Sequence, residues 1–291
     1  MPSHRREDHA VIIASMGRSE VLRDTLMSIS RQTSVPALIV LVVTTPVDLP
    51  QGELMPGVDT IITTKGLPVQ RNAGLRHLPD GIKFVSFLDD DVELEPNYFD
   101  RILAFMARHE TYVLADGTVI HNGDIMREEA LAKIGRLGMV DNRFHDSLNA
   151  YGCNMTVRRR VAEKVPFDER LKLYAWLEDA DFSRRCLLHG GCARVSDARL
   201  VHLCAPAGRI NGKRYGFAQI TNSYYLKTKG QMSLSGLLRA HWGPALLSNI
   251  FGTLRCDRKV DRAGRLHGNL IALKHIFSGR CEPEYVERIG I

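Results

Sequence analysis

The feature that most constrains this chain is the alternation of short apolar runs with helical patterns from Ala10 to Ile120. AVIIASMGRS is an apolar run that breaks into Gly and Ser, and SEVLRDTLMSISRQ follows with Val21, Leu22, Leu26 and Ile29 at helical spacing. ALIVLVV and VDTII read as strands, LPVQRNAGLRHL as a helix, and KFVSFL as a strand that ends abruptly in three aspartates. PNYFDRILAFMARH reads as a helix with Pro96 in its first turn and Phe99, Ile102, Leu103 and Met106 on one stripe, and TYVLADGTVI returns as a strand. Strands alternating with helices predict βαβ units, hence an α/β fold with a mostly parallel sheet sandwiched by helices.

Beyond Ile120 the alternation weakens. Residues 121–150 mix Gly, Asp, His and Arg without a period and read as a loop-rich excursion with a helix near 127–136. YGCNMTVRR reads as a short strand running into a helix at RRVAEKV. LEDADFSRRCLLHGG reads as a helix closed by Gly190 and Gly191, and CARVSDARLVHL as a final strand pair. The 291 residues are 44% hydrophobic and 25% charged, enough to bury a sizeable core and too apolar for disorder. No run approaches the roughly 18 apolar residues of a spanning helix. The start, MPSHRREDHA, has charges where a signal peptide carries its apolar core, so a cytoplasmic protein is expected. The six cysteines form no CxxC pair, which leaves neither a redox motif nor a zinc framework.

The sharpest chemical feature is Asp89, Asp90 and Asp91 directly after KFVSFL. In an open α/β sheet, ligands bind outside the carboxyl ends of strands, which puts these residues at the rim of a crevice. Three adjacent carboxylates repel one another unless a cation or a set of donors compensates, and an all-oxygen site suits Mg²⁺ or Mn²⁺, which could bridge to a diphosphate. A turn or cap is the competing reading, but one Asp would suffice for that. A second acidic group, Glu178, Asp179 and Asp181, opens a helix, where the dipole alone favours acids. Two separate acid clusters suit glycosyl or phosphoryl transfer from a nucleotide donor. One supports a cation on the leaving diphosphate, and the other takes a proton from the acceptor hydroxyl.

The order VIIASMGR, GLPVQRNAGL, FVSFLDDDVELEPNYF, YGCNMTVRRRV, FDERLKLYAWLEDADFSRR and ARLVHL resembles glycosyltransferase family 2, whose members have the GT-A fold, over roughly residues 10–230. The resemblance implies that Asp89 and Asp91 form the metal-and-diphosphate motif, with Asp91 the direct metal ligand and Asp90 facing the donor sugar or ribose. It implies that Asp179 is the catalytic base of an inverting displacement, with Glu178 placing the acceptor. Ser15 to Arg18 and the segment Gln70, Arg71, Asn72 correspond to nucleotide and diphosphate contacts, and Arg71 makes chemical sense as a fixed cation beside phosphates. Gly152 and Asn154 fall where the family lines the donor sugar, and His202 where related enzymes place a metal or pyrophosphate contact. The implied architecture is a catalytic domain over 1–230, with a nucleotide-binding half at about 10–120 and an acceptor half at about 121–230, and a tail over 231–291.

One departure concerns the base. Where the family commonly has an Asp after the second strand, this sequence has Thr44 and Thr45, with Asp48 a few residues later. UDP-, GDP- and dTDP-sugars all stay open as donors, and a glycan or lipid-linked glycan is the expected acceptor. Arg209, Lys213 and Arg214 sit in a Gly-bearing loop that reads equally as a lid over the diphosphate or as a solvated basic loop. Residues 231–281 carry eight Lys or Arg against Asp257 and Asp261, the whole net charge of +6. Their mixture of Leu, Ile, Phe and Trp242 with cations is that of helices lying on an anionic membrane face, or of a pair that packs back on the domain or makes a dimer. No nucleic-acid reading motif is present, so no nucleic-acid partner is expected. Nucleotidyl transfer would call for a Gly-rich phosphate loop that ASMGRS does not supply, and a dinucleotide oxidoreductase for a G-x-G-x-x-G that follows no strand. A non-catalytic binding module remains as the third reading.

Overall fold

The computed structural model describes residues 8–138, 143–204, 211–257 and 259–290. The chain forms two compact units. The first is made of 1–65, 69–167 and 182–208, and the second of 66–68, 168–181 and 209–291.

The first unit is built on a sheet of nine strands among the described residues, in the order β3-β2-β1-β4-β8-β6-β9-β5, with β7 beside β9. Its parallel half is β3 (Val58–Ile62), β2 (Leu38–Val43), β1 (His9–Ala14) and β4 (Phe84–Leu88). The other half is mixed. β8 (Asn154–Arg158) runs antiparallel to both β4 and β6 (Tyr112–Asn122), and β6 runs parallel to β9 (Gly191–His202). β9 is antiparallel to β5 (Val92–Leu94) and β7 (Phe144–Asp146).

The central strands are continuous apolar runs because helices cover both faces. Val11 and Ile13 of β1 point to one face, onto Leu22, Leu26 and Ile29 of α1 (Ser19–Ser30) and Phe99, Ile102 and Met106 of α3 (Tyr98–Arg108). Ala10 and Ile12 point to the other, onto Leu75 of α2 (Leu67–His77), Val161 and Ala162 of α5 (Arg159–Ala162) and Phe182. The period of two along the strand thus feeds two separate cores.

Within the loop-rich excursion the expected helix is present as α4 (Arg127–Gly135). The segment read as a final strand pair is a single strand. β9 pairs with β6 on both sides of a break in register, Val195 opposite Gly117 and Arg199 opposite Thr118, so Ser196, Asp197 and Ala198 bulge out.

In the second unit, α7 (Gly212–Thr228) lies against α10 (Arg262–Phe277). Two glycines permit this closeness. A Cβ on Gly216 would collide with the backbone of Arg265, and one on Gly268 with the backbone of Lys213. Asn269 on α10 donates to the Gly216 carbonyl at 2.7 Å and accepts from Asn249 at 2.8 Å, so buried polar groups fix the register of the helices. Asn249 lies on α9 (Gly243–Leu254), reached through the short α8 (Leu234–Gly236) and a π-helical turn over Leu237–Trp242. The expected boundary at residue 230 therefore falls inside a unit. Residues 231–290 share a core with α7 through Phe217, Ile220, Ala272, Val286 and Ile289, instead of forming a separate tail.

Candidate active site

β4 is fully buried up to Leu88, and the chain then leaves the sheet as Asp89, Asp90 and Asp91 before re-entering as β5. The three carboxylates point to different partners. Asp90 is buried, with Oδ2 accepting from Ser15 Oγ at 2.5 Å and Oδ1 from Arg18 Nη1 at 2.8 Å. Burial pushes its carboxyl up to about 6 against the opposing pull of Arg18. Arg18 also reaches Asp91 Oδ2 at 3.3 Å. Ser15 and Arg18, expected at the nucleotide, are thus the donors that let the acidic cluster exist, and the role implied for Asp90 toward sugar or ribose gives way to holding the β1 loop.

Asp89 and Asp91 face a third group. His202, the last residue of β9, places Nε2 3.1 Å from Asp91 Oδ1 and 3.6 Å from Asp89 Oδ2. One ligand atom from each of the three lies within 4.8 Å of the others. Two carboxylate oxygens and one imidazole nitrogen are a donor set that fits Mn²⁺ or Mg²⁺. The ring is oriented from behind. Asn122 Nδ2 donates to the Tyr151 hydroxyl at 3.0 Å, which turns Oδ1 toward His202 Nδ1 at 2.8 Å and the Cys204 thiol at 3.1 Å. Nδ1 therefore carries the proton given to Asn122, and Nε2 is the atom presented to the acids. Burial by itself would lower the His202 pKa, but hydrogen bonds to Asp91 and Cys204 and the charges of Asp89 and Asp91 outweigh it and hold the imidazole up to about 11.

Arg71 is 1% exposed and donates from Nη2 to the Gly152 carbonyl at 2.8 Å and to Asp89 at 3.2 Å, its guanidinium flanked by the rings of Phe167 and Phe87. It is a fixed cation beside the most exposed of the three aspartates. Two other expected donor contacts have internal work instead. Asn72 gives both ends of its amide to the backbone of Phe167, at 2.9 and 2.8 Å. Asn154 is fully buried and accepts from the Gly117 amide at 3.3 Å. A side-chain amide whose polar atoms are already matched to backbone has no reason to turn to a ligand. Asp48 is also engaged, accepting from the Gly17 amide at 2.7 Å and from the amides and hydroxyls of Thr44 and Thr45. Burial would raise its pKa, yet these donors hold the carboxylate below its usual range and make it the clasp of the loop after β2.

In the second unit, Glu178 and Asp179 open α6 (Glu178–Cys186). Asp179 Oδ1 accepts from the Ala180 amide at 2.8 Å, and Glu178 is buried. Asp181 is set apart from them, because its carboxylate binds Lys229 and accepts from Gln231 at 2.8 Å, a structural tie to the end of α7. The approach to the acid pair is strained. Leu173, Ala175 and Leu177 all have left-handed backbone, with φ of 61°, 54° and 71°. Each such residue costs roughly 1–3 kcal/mol, and strain of this kind persists where surrounding structure over-determines it, commonly at functional sites. Between them Tyr174, half exposed, and Trp176 present rings 5.9 and 5.5 Å from Tyr215. These aromatics stand in the run LKLYAWLED, directly before the acid pair, where the sequence sets two rings among leucines. Asn122 and Cys204 belong to no local motif, and Tyr151 opens the YGCNMTVRRRV run with nothing beside it that points to His202. Of the basic loop, Arg209 lies outside the described residues, while Arg214 is turned toward the Ile289 carbonyl at 3.2 Å.

A mixed sheet covered by helices, with an acidic turn at the end of its fourth strand and a histidine facing it, is the GT-A fold. Within it, residues 51–166, which include Asp89 to Asp91 and Asn154, match the model of the family described as Glycosyl transferase family 2, the family that the motifs resemble. Among solved structures the chain is similar to GalNAc-T7 with UDP, GalNAc and Mn²⁺, with a TM-score of 0.53 at 16% identity over 78% of this chain and 52% of that one. It is also similar to S. aureus TarS, with a TM-score of 0.49 at 16% identity over 75% of this chain and 39% of that one. The chain thus spans about half the length or less of these structures. No curated protein matches it by sequence. No helix among the described residues is long and apolar enough to cross a membrane.

Proposed function

We propose that this protein is an inverting glycosyltransferase that moves a sugar from a nucleotide-diphosphate donor to an acceptor hydroxyl in the assembly of a cell-surface glycan. The observation that carries the reading is the convergence of Asp89, Asp91 and His202 beyond the end of β4, with the cations Arg71 and Arg18 fixed beside the same acidic turn. These three residues would hold Mn²⁺ or Mg²⁺, which when bound neutralises charge developing on the leaving diphosphate. The Mn²⁺ and UDP in the GalNAc-T7 structure support this assignment.

Arg71 cannot swing, because its guanidinium is tied to the Gly152 carbonyl and held between rings, and it offers a preorganised positive charge at no reorganisation cost. Asp179 takes the proton of the acceptor hydroxyl as its oxygen bonds to the anomeric carbon. The bond from that carbon to the diphosphate oxygen breaks with its electron pair leaving on the diphosphate, and one displacement inverts configuration. Glu178 places the acceptor, and the rings of Tyr174 and Trp176 give a sugar ring an apolar face to lie on. UDP-, GDP- and dTDP-sugars are the candidate donors. With Asp48 committed to Thr44 and Thr45, base selection rests on other groups.

The test is calorimetric binding of UDP, GDP and dTDP with and without Mn²⁺, alongside Asp91→Asn and Asp179→Asn. Binding of one nucleotide that needs both the metal and Asp91, unchanged in Asp179→Asn, is the expected result. Metal-independent binding, or no binding of any nucleotide, would leave the acidic turn as a structural device and favour a non-catalytic module.

A further inference from the structure

Helix α9 has no charged residue in its sequence GPALLSNIFGTL, yet it is not a core helix. Leu247, Ile250, Phe251 and Leu254 recur at helical spacing on one stripe and are 56%, 39%, 55% and 74% exposed. The opposite face carries the helix's internal contacts, with Asn249 buried and bonded to Asn269 on α10. The preceding turns add Leu234 and Leu238, also exposed. Four large apolar side chains side by side in water are more than scattered surface hydrophobics, and such a patch marks a contact surface.

The charges around the stripe identify what it contacts. Arg239 lies exposed before α9, and Arg255 and Lys259 lie exposed after it. Residues 198–256 contain no Asp or Glu at all, and neither do residues 262–281. The two aspartates between these stretches are consumed locally. Asp257 pairs with Arg262 at 3.1 Å, and Asp261 caps α10 through the Gly264 amide at 2.8 Å. A second copy of the chain laid on this stripe through a two-fold axis would bring cations against cations, with no acid to answer them. A surface of dense negative charge over a hydrocarbon layer answers both features at once.

We propose that this face docks on an anionic lipid bilayer. Helix α9 lies in the plane of the headgroups with Leu247, Ile250, Phe251 and Leu254 in the acyl boundary, and Arg239, Arg255 and Lys259 reach lipid phosphates at its two ends. The inference stands apart from the transferase reading, since it uses no residue of the acidic turn or of the Glu178–Asp179 pair.

The test is co-sedimentation of the full chain with phosphatidylcholine vesicles, with and without phosphatidylglycerol, at low and high salt and with no donor or metal present. The native chain should bind only vesicles that contain phosphatidylglycerol and release on added salt. Leu247→Ser, Phe251→Ser and Leu254→Ser together should weaken binding by at least about a hundredfold. Arg239→Glu, Arg255→Glu and Lys259→Glu together should do so by a comparable factor of about a hundred. All six positions are exposed, and unchanged circular dichroism of the two variants checks that they fold. Absence of binding to anionic vesicles at low salt would overturn the proposal, as would equal binding by the serine variant. A dimer in sedimentation velocity that the serine substitutions dissociate, without vesicle binding, would overturn it in favour of a second copy.

Discussion

Replacing Arg71 by Met isolates what its guanidinium contributes, because Met keeps much of the length and the apolar stem between Phe87 and Phe167 while removing every donor. The charge-assisted hydrogen bond from Nη2 to the Gly152 carbonyl, at 2.8 Å in a site where Arg71 is 1% exposed, disappears, a loss of about 1.5–3 kcal/mol. Against this stands relief from desolvating a cation, together with favourable contact of a thioether with the two rings. The 3.2 Å pair with Asp89 adds little, since that carboxylate is 31% exposed and stays hydrated without it. The net expectation is destabilisation by about 2 kcal/mol, or a fall in melting temperature of roughly 4–7 °C for a chain of this size. Arg71→Lys, which keeps a charge but not the planar fork, should recover about half. Thermal unfolding should be followed by far-ultraviolet circular dichroism, because Trp176 and Trp242 both lie in the second unit and their fluorescence would report on that instead. A melting temperature of Arg71→Met within a degree or so of the native protein would refute the reasoning and reduce Arg71 to a bystander in the core.

Other perturbations test other parts of the molecule. His9 is buried beside Phe99, with Nε2 2.8 Å from Ser86 Oγ, and burial lowers its pKa to about 3. Above pH 6.5 the ring is neutral in both folded and unfolded chains. As pH falls from 6.5 toward 3 the unfolded chain binds a proton that the native one refuses, so stability is lost at up to about 1.4 kcal/mol per pH unit. His9→Gln should flatten that slope in urea titrations between pH 6 and 4, and an unchanged slope would assign the acid sensitivity elsewhere. Asn122→Ala should weaken Mn²⁺ binding, read by electron paramagnetic resonance without donor, by roughly 10–100-fold, because His202 loses the acceptor that fixes its tautomer. Unaltered affinity would remove Asn122 from the site. Gly268→Ala should destabilise by about 1–3 kcal/mol or more by forcing α10 off α7. Tryptophan fluorescence during urea unfolding reads this directly, and a neutral outcome would mean that the helices slide apart freely.

The parts of this protein legible in its sequence are those in which a residue's fate depends on its near neighbours. The strands β1, β2 and β4 and the stripe of α3 follow from local period. Asp89 to Asp91 stood out because three carboxylates in a row are costly wherever they fall. His202 was found at the end of its strand, and the structure turns its Nε2 to Asp89 and Asp91. Strand direction was less accessible. β8 returns antiparallel beside β4, and β9 skips Ser196 to Ala198, because register is a property of pairing and not of one strand's composition.

Side-chain partners were least accessible of all. Nothing near Asn72 or Asn154 in the sequence reveals that their amides are matched to the backbones of Phe167 and Gly117, and nothing near Asn122 reveals that it orients His202 from 80 residues away. The basic apolar composition of residues 231–281 was plain in the text. Only the packing of α9 through Asn249 decided which of its leucines stay in water, because an amphipathic pattern states that a helix has two faces while its neighbours settle which face is covered.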